Sequence, residues 1–246
     1  MKTSHYSSGG SLKVKAALLA AAMVAASMLL SPPAQAAVGT PLSEADLAFV
    51  TESSERLGIA PPVRDRLIAN LEKGIVPQSM TGAAPISSKT KNQPDKMVIR
   101  KEFEDGSVSL TTFQNATEHR TGRPKDYVTP MSVSNCVDYS GVGTWEFRSC
   151  DVRTDQFAFT MAFESDGRRG SSCSPTFAAK IYNIYGAWYT GVGSASTITQ
   201  QVLQGTQSCS GPARARASTS VNMGWYSTTA SLTFYAQNGS RWDTSP

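Results

Sequence analysis

The residues of this 246-residue chain best suited to covalent or metal chemistry are four cysteines and two histidines, and their placement restricts both kinds. Cys136, Cys150, Cys173 and Cys209 are widely spaced and contain no Cys-x-x-Cys pair, so they do not follow a zinc-ligand pattern. Four cysteines permit three pairings. Sequential pairing, Cys136 with Cys150 and Cys173 with Cys209, is favoured because each pair brackets one hairpin-like excursion. Closing a loop of about 15 residues contributes roughly 3 kcal/mol in the chain-entropy model. With every thiol paired, no cysteine nucleophile remains.

His5 lies in a secretory leader, which leaves His119, in a polar stretch that reads as a loop. A serine triad needs an imidazole held against a nucleophile, and no Gly-x-Ser-x-Gly elbow occurs. Phosphate-cradling and dinucleotide fingerprints are absent as well. Carboxylate-only catalysis survives these filters, because glycoside hydrolysis needs two acids and no histidine. Asp138, Glu146, Asp151, Asp155, Glu164 and Asp166 are the acids available to it. Glu146 has Trp145 and Phe147 beside it, although neighbours on a strand point to the opposite face. Asp151, Asp155, Glu164 and Asp166 also raise calcium, without the Asp-x-Asn-x-Asp-Gly loop that would specify it. The block Tyr182, Tyr185, Trp188 and Tyr189 is the candidate ligand face, since aromatic rings stack on sugars or anchor protein partners.

The elements that must position these residues follow from the leader onward. Residues 1–36 carry Lys2, Lys13 and Lys15, an uncharged apolar run over 16–30, and an Ala34-Gln35-Ala36 cleavage signal. That run is shorter than the roughly 20 residues of a membrane span, so a secreted, extracellular product free of the membrane is expected. The whole chain has 23 basic and 19 acidic residues, and without the leader lysines the excess is about one. So small a net charge supplies no field for nucleic acid.

Residues 37–77 predict a helical hairpin, either a permanent subdomain or a prosegment. Ser43 with Asp46 caps its start, and Gly58 and Pro61-Pro62 divide it. Leu47, Val50 and Leu57 share one helical face, and Val63, Leu67, Ile68 and Leu71 form the second apolar stripe. Residues 78–96 read as a flexible linker. Residues 97–130 read as a β-hairpin turning at Asp105-Gly106, followed by a polar loop.

Residues 131–246 read as a disulfide-bonded β domain. Phe157, Phe159, Met161 and Phe163 alternate with small residues, which predicts one buried face. Residues 179–185 look apolar on both sides. Ala215, Ala217, Val221, Met223 and Trp225 share one face, with Arg214 and Arg216 on the other. Together these features predict a mainly β fold: a disulfide-stapled antiparallel β-sandwich or open barrel with a short helical hairpin. The function expected is a secreted binding module for an extracellular glycan or protein surface, with no cofactor. A carboxylate-dependent glycan hydrolase, or a latent effector or inhibitor released from its helical segment, is the alternative.

Overall fold

The structure is a computed structural model. It describes residues 41–116, 118–121, 136–141, 144–224 and 226–244. The leader, Trp225 and most of the polar loop after the hairpin lie outside those residues.

Two helices come first: α1, Glu44–Leu57, and α2, Pro61–Glu72. Ser43 caps α1 as expected, its Oγ accepting from the Asp46 N–H at 3.1 Å. Gly58 ends the helix at φ 65°, a conformation that suits glycine. Val50 and Leu57 are buried on α1, and Leu67 and Leu71 on α2. Leu47, placed on the apolar face by its spacing, is instead 42% exposed, because it lies at the margin of that face.

Among the described residues thirteen strands follow, in two sheets. The larger contains β1, Ser87–Asn92; β2, Lys96–Glu102; β3, Val108–Gln114; β4, Glu118–Thr121; β5, Val137–Gly141; β6, Thr144–Asp155; β7, Phe159–Arg169; and β8, Lys180–Gly191. The smaller contains β9, Ser194–Ala195; β10, Thr199–Gln204; β11, Ala213–Asn222; β12, Ser227–Gln237; and β13, Ser240–Thr244. Strand β6 organises the larger sheet. Its first half pairs with β5 and its last residues with β3 along one edge, while β7 runs along the other. Pairing is antiparallel throughout except between β4 and β5. The sheets do not close into a barrel, so the molecule is a sandwich.

Phe234 of β12 meets Phe113 at 5.9 Å and Phe147 at 6.3 Å between ring centroids, which marks the inner faces. The inner side of β11 is built from Ala213, Ala215, Ala217 and Val221, with Arg214 and Arg216 outward, as the alternation requires. The helices lie on the opposite, outer face of the larger sheet. There Arg56 reaches Asp155 at 3.3 Å and Thr160 at 3.3 Å, and the Arg100 guanidinium donates to the Leu57 carbonyl.

That helical layer corrects one expectation. Residues 157–163 are buried on both faces, because α1 covers the side that alternation alone leaves to solvent. The supposed linker is also structured: residues 78–80 form a 3₁₀ turn, and β1 pairs with β2 from Ser87 opposite Glu102 to Asn92 opposite Met97. Main-chain hydrogen bonds hold this edge strand while its side chains stay largely exposed, so nothing in its hydropathy announces it. Residues 180–185 are likewise not apolar on both sides, since Tyr182 and Asn183 face solvent.

The hairpin turns where expected. Gly106 adopts φ 82° and its N–H donates to the Phe103 carbonyl at 2.9 Å. The cysteines pair sequentially, with Cα separations of 4.3 Å for Cys136–Cys150 and 4.9 Å for Cys173–Cys209. The first bond fastens the start of β5 to β6. The second fastens the β7–β8 connection to the loop after β10, and so ties the two sheets.

Candidate functional site

The site is the outer face of β6, β7 and β8 beyond the reach of the helices. Along β6, Phe147, Cys150 and Val152 turn inward, which leaves Glu146, Arg148, Asp151 and Arg153 outward. A bulge at Ser149 maintains this arrangement, with φ 52°, a conformation uncommon for a residue with a Cβ. Asp166 of β7 holds the bulge from across the sheet. It accepts from the Ser149 N–H at 2.9 Å, the Tyr185 hydroxyl at 3.2 Å and the Arg148 guanidinium at 3.2 Å. Ser149 Oγ and the Tyr185 hydroxyl also lie 2.9 Å apart.

Strand β8 is irregular at two points, opposite Phe163 and between the partners of Asp166 and Gly167. The first irregularity includes Gly186 at φ 63°. Together they bring Tyr182, Tyr185 and Trp188 onto the outer face. Tyr182 is 39% exposed and Trp188 41%, enough for a ring to take a stacked ligand. The Tyr182 hydroxyl donates to Glu146 at 3.1 Å, and the Arg148 guanidinium lies 5.2 Å from its ring centroid. The Arg153 guanidinium lies 5.6 Å from the Trp188 ring. Each exposed ring is therefore positioned by a cation.

Tyr189 does not join them. One residue beyond Trp188, it turns inward, stacks on Phe159 at 5.8 Å and donates to the Val192 carbonyl. Burial, followed by the nearby Asp46 carboxylate, pushes its phenol well up. Burial is also the main reason Tyr185 is pushed up to about 12. Tyr182 is raised by burial and then by Glu146.

The six acids separate into distinct roles. Asp138 is buried on the inner face, where the Arg169 guanidinium donates to both its oxygens at 2.9 and 2.8 Å. Asp155 is gripped by Arg153 at 2.7 and 2.9 Å and by Arg56. Glu146 and Asp166 hold Tyr182, Tyr185 and the bulge. Asp151 and Glu164 face each other across β6 and β7 as a register pair. Burial raises the Asp151 carboxyl. Burial, then the charges of Asp151 and Asp166, raises Glu164. Among the described residues no group of three or more histidine, cysteine or acidic side chains is arranged to hold a metal ion.

His119 is on strand β4 rather than in a loop, paired with β5 through main-chain bonds that its polar neighbours do not announce. Its Nδ1 lies 3.8 Å from Asp138, beyond hydrogen-bond distance, while Arg169 donates to that carboxylate. The imidazole packs edge-on to Trp145 at 6.2 Å between centroids.

Sequence reasoning found Tyr182, Tyr185 and Trp188 but missed Ser149, Asp166 and Arg148 as the groups that set their positions. A serine between an arginine and a cysteine carries no bulge signal, and its anchor lies 17 residues away on another strand. Compared with protein-family models, curated proteins and solved structures, this chain matches none.

Proposed function

We propose that the protein is a secreted binding module that takes a neutral glycan along the outer face of β6–β8. One observation carries this reading: two exposed rings, Tyr182 and Trp188, each set by an arginine, stand at the ends of a polar strip. Trp188 pairs with Ala162, and Tyr182 falls between the partners of Asp166 and Gly167. At ~3.3 Å per residue the rings are roughly 15 Å apart along the strand. The Tyr185 hydroxyl, Ser149, Glu164 and Asp166 lie between them, a row of hydrogen-bonding groups suited to sugar hydroxyls.

A protein partner is favoured less, since protein hot spots gather their aromatic anchors into one desolvated centre. The acids Glu146, Asp151, Glu164 and Asp166 are nearly balanced by Arg148, Arg153 and Arg168 here, which favours a neutral chain over a charged one. Secretion is supported by the leader pattern and by two disulfides, which persist in oxidising compartments. In this reading the helical hairpin stays attached, because Val50, Leu57, Leu67 and Leu71 belong to the common core.

The Asp151–Glu164 pair supports a second reading, hydrolysis of a bound glycan with one carboxyl as acid and the other as base or nucleophile. The test is retention of the secreted protein on insoluble cellulose, chitin, xylan and mannan, with reducing-end release followed in parallel. Tyr182→Ala and Trp188→Ala should each abolish retention on the polymer that holds the wild type. Retention unchanged in both variants would remove the reading. Sugar release that disappears in Glu164→Gln while retention persists would establish the enzyme instead.

A further inference from the structure

A groove of about 520 Å³ lies on the other side of the molecule, where residues 82–85 pass beside β2, β3 and the outer pleat of β11 and β12. It exists because the segment lining it is small. Gly82, at φ 75°, has nothing within 4 Å of where a Cβ would stand, and Ala83, Ala84 and Pro85 follow it. Ser109, 1% exposed, and Thr233, 7% exposed, lie at its base. Ser231 adds a third hydroxyl, and the buried Phe103 and Pro85 add apolar wall.

Three longer side chains give the groove its chemistry. Arg216 stands outward on β11, opposite Thr233 of β12 and Gln201 of β10. Lys101 of β2 brings a second cation from the other sheet, and Tyr235 supplies a half-buried ring. Lys101 and Tyr235 each also interact with the surrounding fold, which helps to position them. No acidic residue lines the groove among the described residues, whereas the outer face of β6–β8 carries four.

The geometry points to a second binding site, specific for an acidic sugar of the hexuronate class. Arg216 meets the carboxylate, a charge-assisted contact for which a guanidinium fork is well shaped, and Lys101 lines the same groove. The Ser109, Ser231 and Thr233 hydroxyls meet the sugar hydroxyls, and Tyr235 takes its C–H face. The volume lies within the roughly 300–1,000 Å³ of small-molecule sites. The site shares no residue with the aromatic face, so either proposal can fail without the other.

Isothermal titration of the secreted protein with a galacturonic acid trimer, against a neutral galactose trimer, tests it. Arg216→Gln is the informative variant, because this side chain is exposed on the outer pleat of β11. Binding of the acidic trimer should weaken by about ten- to a hundredfold in Arg216→Gln. It should weaken with added salt and be unchanged in Trp188→Ala. No heat from the acidic trimer, or equal affinity for the neutral one, would overturn the proposal. So would affinity unchanged in Arg216→Gln. Loss in Trp188→Ala alone would move the acidic sugar to the aromatic face and end the claim for the groove. Displacement by inorganic sulfate at the trimer's own concentration would reduce the groove to a bare oxyanion site and overturn its sugar specificity.

Discussion

Thr160 and Trp188 point outward from neighbouring strands on one pleat, yet Thr160 is 1% exposed and Trp188 41%. The difference is α1. Over the ends of β6 and β7 the helix brings Arg56 down onto Asp155 and Thr160, and the outward residues there become a second core. Farther along the same strands no element among the described residues covers the pleat. Its outward residues become a row of rings, acids and guanidinium groups that hold one another in place. Strand alternation decides which side a residue takes. The neighbouring layer decides whether that side is structural or available to a ligand.

Changes at the covered end should therefore act on stability, with the largest effect at Asp155. Asp155→Ala leaves Arg56 and Arg153 facing a buried vacancy and should cost about 3–5 kcal/mol, read as a lower denaturation midpoint. Leu57→Ala, which opens a cavity beneath the same helix, should cost about 2–5 kcal/mol in the same assay. If either change leaves stability intact while glycan retention is lost, the division between the two ends is misdrawn.

At the boundary sits Asp166, which supports both the fold and the face. Asp166→Ala releases the Ser149 bulge and the Tyr185 hydroxyl and should cost about 1–3 kcal/mol. It should also weaken retention, although Asp166 itself need not touch a ligand. Unchanged retention in a folded Asp166→Ala protein would show that the bulge does not position the rings.

Several elements could be read before the fold was seen because their signals are local. Ser43 and Gly58 set the ends of α1 through backbone bonds within one turn. Asp105-Gly106 names its own turn, and the alternation from Ala213 to Val221 reports one buried face. The parts that were not legible depend on distant partners. Strand β1 and the strand carrying His119 are held by main-chain pairing, which leaves no hydropathy pattern. The second buried face of β7 depends on α1, roughly a hundred residues earlier in the chain. The same limit separated Tyr189 from its neighbours only in part. Its parity was readable, but the irregularities that keep Tyr182, Tyr185 and Trp188 together on the outer face were not.

The smallest effects belong to the open end. Tyr182→Ala should change stability by no more than about 0.5 kcal/mol while abolishing retention, the reverse of Asp155→Ala. Asp151 and Glu164 sharpen the contrast through pH. Burial raises both carboxyls, so the folded chain binds their protons to higher pH than the unfolded chain. Below the unfolded carboxylate range they impose no penalty. Stability then declines as pH rises through the raised folded values, and the penalty is complete above them. Glu164→Gln should remove its share, flattening that decline and leaving stability at neutral pH equal or slightly higher. A steeper decline in the variant would mean that Glu164 stabilises the fold as a charged group.

The most direct test of the open end as the binding surface is an amide and indole NMR titration. The protein would be titrated with a neutral oligosaccharide cut from the polymer that retains it. The account expects shifts at Glu146, Arg148, Glu164, Tyr182, Tyr185 and the Trp188 indole, with Thr160 and Tyr189 unmoved. Shifts confined to the helical hairpin or the smaller sheet, with the Trp188 indole unmoved, would contradict it.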